Sequence, residues 1–262
     1  MATEAHNGRA LLEVDGIVKR FGGIRAVDGA GFDVGEGSIT ALIGPNGAGK
    51  TTLFNAVTGF QRVDSGSARL GGEEILHLPA YAIARRGMVR TFQVTRALAA
   101  MPVIDNMMLA AGGQPGERFR NLLLHPGGVR RHEREVRARA GELLELFDLS
   151  DRAGAYAGTL SGGQRKLLEL ARALMTQPRL LLLDEPMAGI NPTLGRRLLE
   201  HMQRLRGEQG VTFLFVEHDM EVVMNHSDRV IVMAEGRVIA EGVPDQVRRD
   251  PAVVDAYLGG AA

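Results

Sequence analysis

The stretch Gly44-Pro45-Asn46-Gly47-Ala48-Gly49-Lys50-Thr51-Thr52 carries the residue types that hold a polyphosphate, in the order G-x-x-x-x-G-K-T. Its glycines let backbone N–H groups turn inward around an anion. A helix starting near Gly49 would point its positive end at the same anion. Lys50 adds a point charge for the β- and γ-phosphates, and the Thr51 hydroxyl is a ligand for Mg²⁺. The motif has this meaning between a strand and a helix. Both are present: Ser38 to Ile43 is an apolar β-like run, and Leu53 to Val57 has helical spacing.

A second anion device follows at Leu160-Ser161-Gly162-Gly163-Gln164. Ser161 and Gln164 have capping-box spacing just before an amphipathic run. Leu167, Leu170, Ala171 and Leu174 share one face of that run. Gly162 and Gly163 leave N–H groups unobstructed at the helix start. The apolar run Leu180 to Leu183 then delivers Asp184-Glu185. An acid at the tip of a buried strand near a phosphate loop is the expected Mg²⁺ anchor. Glu185 is placed to orient and deprotonate a water aimed at the γ-phosphorus.

The elements that position these groups alternate. Strands are expected at Leu11 to Val18, Ala26 to Val34, Gly66 to Leu70 (an edge strand) and Val89 to Gln93. From Val94 to Met175 the pattern turns helical, with Val103 to Ala111, a Gly- and Pro-containing loop from Gly112 to Gly128, and a charged helix from Val129 to Phe147. After Pro178 strands and helices alternate again to Leu258. Alternating β and α elements after a phosphate loop argue a mostly parallel sheet, and the helical middle reads as an insertion. The expected organisation is a disordered tail over residues 1–10, a core from 11–93 and 176–262, and a helical subdomain over 94–175.

Composition narrows the classes. Among 262 residues, Lys plus Arg and Asp plus Glu stand at 31 each, so no global charge draws nucleic acid. The absence of Cys excludes disulfides, thiolate metal sites and a cysteine nucleophile. Met1 to Ala10 lacks the apolar region of a secretory signal. No apolar run approaches the roughly 18–20 residues of a membrane span, so work at a membrane would need spans from another chain.

The order of phosphate loop, isolated Gln93, L-S-G-G-Q, L-L-L-L-D-E-P and His218-Asp219 resembles the ATP-binding subunits of ABC transporters, over about residues 11 to 258. A GTPase would carry N-K-x-D, and none occurs. The resemblance implies an α/β P-loop NTPase (RecA-like) core with a mostly parallel sheet, an antiparallel β edge and an inserted helical subdomain. It implies that Phe21 stacks on adenine, where Tyr is commoner. Gln93 would touch Mg²⁺ and water and relay to a membrane subunit, and His218 would contact the γ-phosphate. ATP would lie between the phosphate loop of one chain and Ser161 to Gln164 of a second ABC ATPase subunit, in a homodimer or heterodimer. Asn191 stands where many members have Asp, and Asn191-Pro192 also makes a good helix start. Met101, Met107 and Met108 either line a partner groove or fill the core.

Arg90-Thr91-Phe92-Gln93, Thr58-Gly59-Phe60, Ala188-Gly189-Ile190-Asn191-Pro192, Glu217-His218-Asp219-Met220 and Ala256-Tyr257-Leu258-Gly259 are similar to the ATP-binding subunits of branched-chain amino-acid importers. That implies an ATP hydrolase working with two transmembrane permease subunits and, indirectly, a substrate-binding protein. It would sit peripherally on the cytoplasmic face of the inner membrane. Related systems serve urea, amides or lipid and lipopolysaccharide export.

Overall fold

The computed structural model describes residues 9–91, 98–112 and 126–258. In chain order its elements are β1 (Ala10–Phe21), β2 (Ile24–Gly35), β3 (Ile39–Ile43), α1 (Lys50–Val57), β4 (Ser65–Leu70), β5 (Glu73–Glu74), α2 (Ala80–Arg85) and β6 (Met88–Arg90). Then come α3 (Val103–Ala110), α4 (Pro126–Leu146), α5 (Gly162–Leu174), β7 (Leu180–Asp184) and α6 (Pro192–Gln209). The chain continues through β8 (Thr212–Val216), α7 (Met220–His226), β9 (Arg229–Ala234), β10 (Arg237–Gly242), α8 (Pro244–Val247) and α9 (Pro251–Leu258).

The described residues divide into two compact units. One holds residues 9–90, Pro178–Met187 and 202–258; the other holds the described parts of 91–177 together with Ala188–His201. Ala188–His201 thus groups with the helices, although the sequence reading puts it in the core.

The first unit contains a six-stranded sheet in the order β10-β9-β3-β8-β7-β6, among the described residues. Every pairing is parallel except β9 with β10. β3, β7 and β8 are buried along their whole length, which is why they read as unbroken apolar runs rather than alternating ones. The expected antiparallel edge is a sheet of its own, ordered β2-β1-β4-β5. The strands β1 and β2 run longer than their apolar alternation indicates. Their antiparallel pairing continues to Phe21 opposite Ile24, so Phe21 ends a strand at a hairpin tip. Leu42 and Leu214 of the parallel sheet and Leu53 and Phe54 of α1 join one core cluster with Leu12 and Val14 of β1. The strand expected over Val89 to Gln93 is Met88–Arg90, and Gln93 lies outside the described residues.

The second unit is helical. α4 starts at Pro126, three residues before the expected Val129, because Pro fits the first helical position where its missing N–H has no partner to lose. Met107 is fully buried, so of the alternatives for it the core is the one realised. Buried Asn106 uses its whole amide. Its Oδ1 accepts from Leu98 N at 2.9 Å, and its Nδ2 donates to the carbonyls of Leu98, Met101 and Pro102 at 3.1–3.2 Å. This holds Leu98 to Pro102 against α3 without a buried unsatisfied group.

Candidate phosphate-binding and hydrolytic site

The loop between β3 and α1 is shaped by two glycines that no other residue can replace. At Gly44 (φ 150°) a Cβ would stand 2.1 Å from the Met233 carbonyl oxygen. At Gly49 (φ 98°), the N-cap of α1, it would stand 2.3 Å from the Ala26 carbonyl oxygen. Pro45, Asn46 and Gly47 form the outer part of the loop, with Asn46 and Gly47 exposed. Ala48 is buried beneath it, Thr51 is exposed, and Thr52 is half-buried in the first turn of α1. The Lys50 amino group donates to the Gly44 carbonyl at 2.7 Å and the Pro45 carbonyl at 2.9 Å, which folds it back over the loop. Burial pulls its pKa below the ordinary lysine value, while the Glu185 and Asp184 carboxylates push it up. Both acids of the β7 tip therefore lie within electrostatic range of Lys50.

Asp184 ends β7 in a buried position, and its Oδ2 accepts from Arg90 Nη2 at 2.6 Å. Glu185 follows with φ 48°, the left-handed region a non-glycine residue enters only at a cost. Its N–H donates to the Val216 carbonyl at 3.0 Å, tying the turn to β8. Just past β8, Glu217 is 1% exposed and accepts from Met187 N at 2.8 Å and His218 N at 3.2 Å. Burial pushes its carboxyl up from the ordinary glutamate value; the two N–H groups and the His218 ring pull it down, and Glu185 pushes it up again. The His218 ring is exposed, with Nδ1 3.8 Å from Glu217 Oε2. Phe21 is 50% exposed, and the Lys19 ammonium sits 5.1 Å from its ring centre.

In this unit Lys50 lies within electrostatic range of Asp184 and Glu185, and His218 is joined to the turn after Glu185 through Glu217. Sequence reasoning missed Arg90 and Glu217 as parts of the site. Each adjoins a motif residue, Arg90 within R-T-F-Q and Glu217 before His218, but neither position announces a partner.

The helical unit carries the second device. Ser161 is the N-cap of α5, and the box is reciprocal: Gln164 N donates to Ser161 Oγ at 3.2 Å and Ser161 N to Gln164 Oε1 at 2.9 Å. Gly162 and Gly163 form the first turn. A Cβ on Gly163 would meet Leu194 Cδ2 at 2.1 Å. Asn191 caps α6 as expected, its Oδ1 accepting from Leu194 N at 2.8 Å.

The donor set decides which metal fits. Among the described residues no group of three or more His, Cys, Asp or Glu side chains is arranged to hold an ion. Thr51 and Asp184 offer hard oxygens. One or two such contacts completed by substrate phosphates are how Mg²⁺ is held in nucleotide sites. No described helix is long and apolar enough to cross a membrane.

Residues 27–188 match the ABC transporter family, and residues 237–262 match a family described as branched-chain amino acid ATP-binding cassette transporter. The chain is 46% identical over 253 residues to the high-affinity branched-chain amino acid transport ATP-binding protein BraF of Pseudomonas aeruginosa, covering 97% of this chain and 99% of that one. It is 42% identical over 251 residues to LivG of Salmonella typhimurium, a protein of the same description, covering 96% and 98%. A solved structure of the ADP conformation of an ATP-binding cassette of an ABC transporter aligns with a TM-score of 0.80 at 36% identity, over 96% of this chain and 99% of that one. Identity of this extent along nearly the whole of both chains shows that the chain belongs to the ABC transporter family, among its ATP-binding proteins of the branched-chain amino acid type.

Proposed function

We propose that the chain binds and hydrolyses ATP to energise uptake of branched-chain amino acids through partner permeases. The observation that carries the ATPase reading is a glycine loop that heads a helix and folds Lys50 over itself, with the Asp184 and Glu185 carboxylates within electrostatic range of that lysine. The names of the relatives at 42–46% identity support the substrate class over urea, amides or lipid export.

The loop N–H groups from Gly47 to Thr51 would cradle the β- and γ-phosphates, with Gly44 and Gly49 giving the loop its shape. Lys50 would exchange its two loop carbonyls for phosphate oxygens, a stronger, charge-assisted partnership. Phe21 offers an exposed π-face to the adenine. Thr51 and Asp184 would hold Mg²⁺, which when bound neutralises phosphate charge. Glu185 would orient the attacking water and take its proton. His218, on the far side of Glu217, would reach the γ-phosphate. Gln93 is assigned to the metal-bound water and the permease contact. Ser161 to Gln164 would close on the ATP of a second ATPase subunit, so that hydrolysis releases the pair. The chain would lie on the cytoplasmic face of the inner membrane, held there by two permease subunits and fed by a substrate-binding protein.

The test uses proteoliposomes holding a permease pair with which the chain copurifies from detergent extracts. ATP-dependent leucine uptake that disappears with Glu185→Gln is the expected result. ATP hydrolysis with uptake of urea or a short amide instead would overturn the substrate assignment. A purified chain that neither binds nor hydrolyses ATP would overturn the whole reading.

A further inference from the structure

Arg90 belongs to the R-T-F-Q segment, yet no step above uses it. It ends β6, which pairs in parallel with β7. Its guanidinium works as a fork. Nη2 donates to Asp184 Oδ2 at 2.6 Å, and Nη1 donates to Asn55 Oδ1 at 2.6 Å with Thr58 Oγ1 at 3.4 Å. The Phe54 ring centre is 5.6 Å away. Asn55, Thr58 and Phe54 all lie in or just after α1, the helix that the phosphate loop opens. The paired side chains are 5% and 6% exposed. One arginine thus joins the acid-tipped strand to the phosphate-loop helix, using the planar geometry that lysine lacks.

The pairing has an electrostatic consequence. Lys50 and Arg90 set two positive charges beside the Asp184 and Glu185 carboxylates, with the buried Glu217 carboxyl next to Glu185. One oxygen of the candidate metal anchor is already held by a fixed cation, and among the described residues Oδ1 makes no hydrogen bond. A divalent ion approaching Oδ1 would be repelled by Arg90 at short range, in surroundings that screen poorly. Phosphate charge would offset that repulsion.

The geometry points to Arg90 as the resident counter-cation of Asp184, a positioning residue that fixes the carboxylate and makes divalent-metal binding at this strand tip conditional on nucleotide. The inference rests on the nucleotide reading above. Its test compares Mn²⁺ binding, read by electron paramagnetic resonance on the full chain, with and without ADP. The wild type is expected to retain Mn²⁺ only with ADP. Arg90→Met is expected to bind Mn²⁺ without nucleotide at least about tenfold more tightly than wild type, as removal of a close like charge requires. Asp184→Asn in the same background should abolish that gain, and Arg90→Lys, which keeps the charge, should restore wild-type behaviour. A folded Arg90→Met protein with unchanged or weaker Mn²⁺ binding overturns the inference and leaves a structural staple. Should Arg90→Met fail to fold, the double variant Arg90→Met with Asp184→Asn decides. Recovered folding supports the charge pairing, because removing both partners of a buried pair is far milder than removing one; continued failure overturns it. Wild type that binds no ADP defeats the nucleotide reading, whereas ADP binding with an unaltered Mn²⁺ response in Arg90→Met defeats only the role of Arg90.

Discussion

Replacing Glu217 separates its two contributions, hydrogen bonding and buried charge. Glu217→Ala removes the acceptor of Met187 N and His218 N. Hydrogen bonds to a charged group are worth about 1.5–3 kcal/mol each, and with the His218 end near solvent the expected loss is about 2–4 kcal/mol. For a chain of this size that is a fall in Tm of about 5–15 °C. Glu217→Gln keeps an acceptor oxygen in place and removes the buried charge, so its cost should stay within about 1 kcal/mol at neutral pH. The pH dependence is the sharper measurement. Burial raises the carboxyl above its ordinary value of 4.5, so above that pH the folded chain keeps a proton that the unfolded chain has released. Stability then falls as pH rises from 4.5 to the raised value, and below 4.5 the group has no effect. Urea unfolding of wild type and Glu217→Gln across this window should therefore show the variant gaining on wild type as pH increases. Parallel curves at every pH, or a Glu217→Gln as unstable as Glu217→Ala, would refute the reasoning.

Other outcomes follow from the same geometry. Glu185→Gln should keep ATP binding and lose hydrolysis by about 10²–10⁴-fold, the range for a general base; turnover at the wild-type rate would remove Glu185 from that role. Lys50→Ala should weaken ATP binding by roughly ten- to a hundredfold, the value of one charge-assisted contact, and isothermal calorimetry would detect an unchanged dissociation constant. Gly49→Ala must place a Cβ against the Ala26 carbonyl oxygen at 2.3 Å, so nucleotide affinity should fall even though Lys50 and Thr51 remain. Ser161→Arg should leave ATP binding to one chain intact and abolish ATP-driven dimerisation by size-exclusion chromatography; a dimer that still forms would remove Ser161 to Gln164 from the second subunit's site.

Much of this was legible because the signals were local. Leu180 to Leu183 is an apolar run of strand length after Pro178, and the buried strand it forms makes Asp184 a strand tip. The Ser161 and Gln164 box and the Asn191 cap follow from spacing alone, since each partner lies three residues away. Arg90 was illegible because its partner is 94 residues on in the chain, met only when β6 lies beside β7. Glu217 was hidden by its charge: a carboxylate before a histidine suggests solvent, and only the Met187 and His218 N–H groups make its burial tolerable. The two-residue β5 and the 3₁₀ turns Ser150–Arg152 and Ala157–Thr159 have too few residues for any periodicity. Pro126-Gly127-Gly128 read as loop because glycine and proline are the poorest helix formers, yet they open α4.

The left-handed backbone at Glu185 sets survival of the fold against turnover at a single position. Glycine would relieve the conformational penalty there, and asparagine would lessen it, so either should raise the melting temperature while removing the base. A population of variants selected only for heat resistance would drift away from glutamate at this site, and one selected for growth on scarce amino acid would be held to it. The residue proposed as the base is thus one that thermal selection alone would discard.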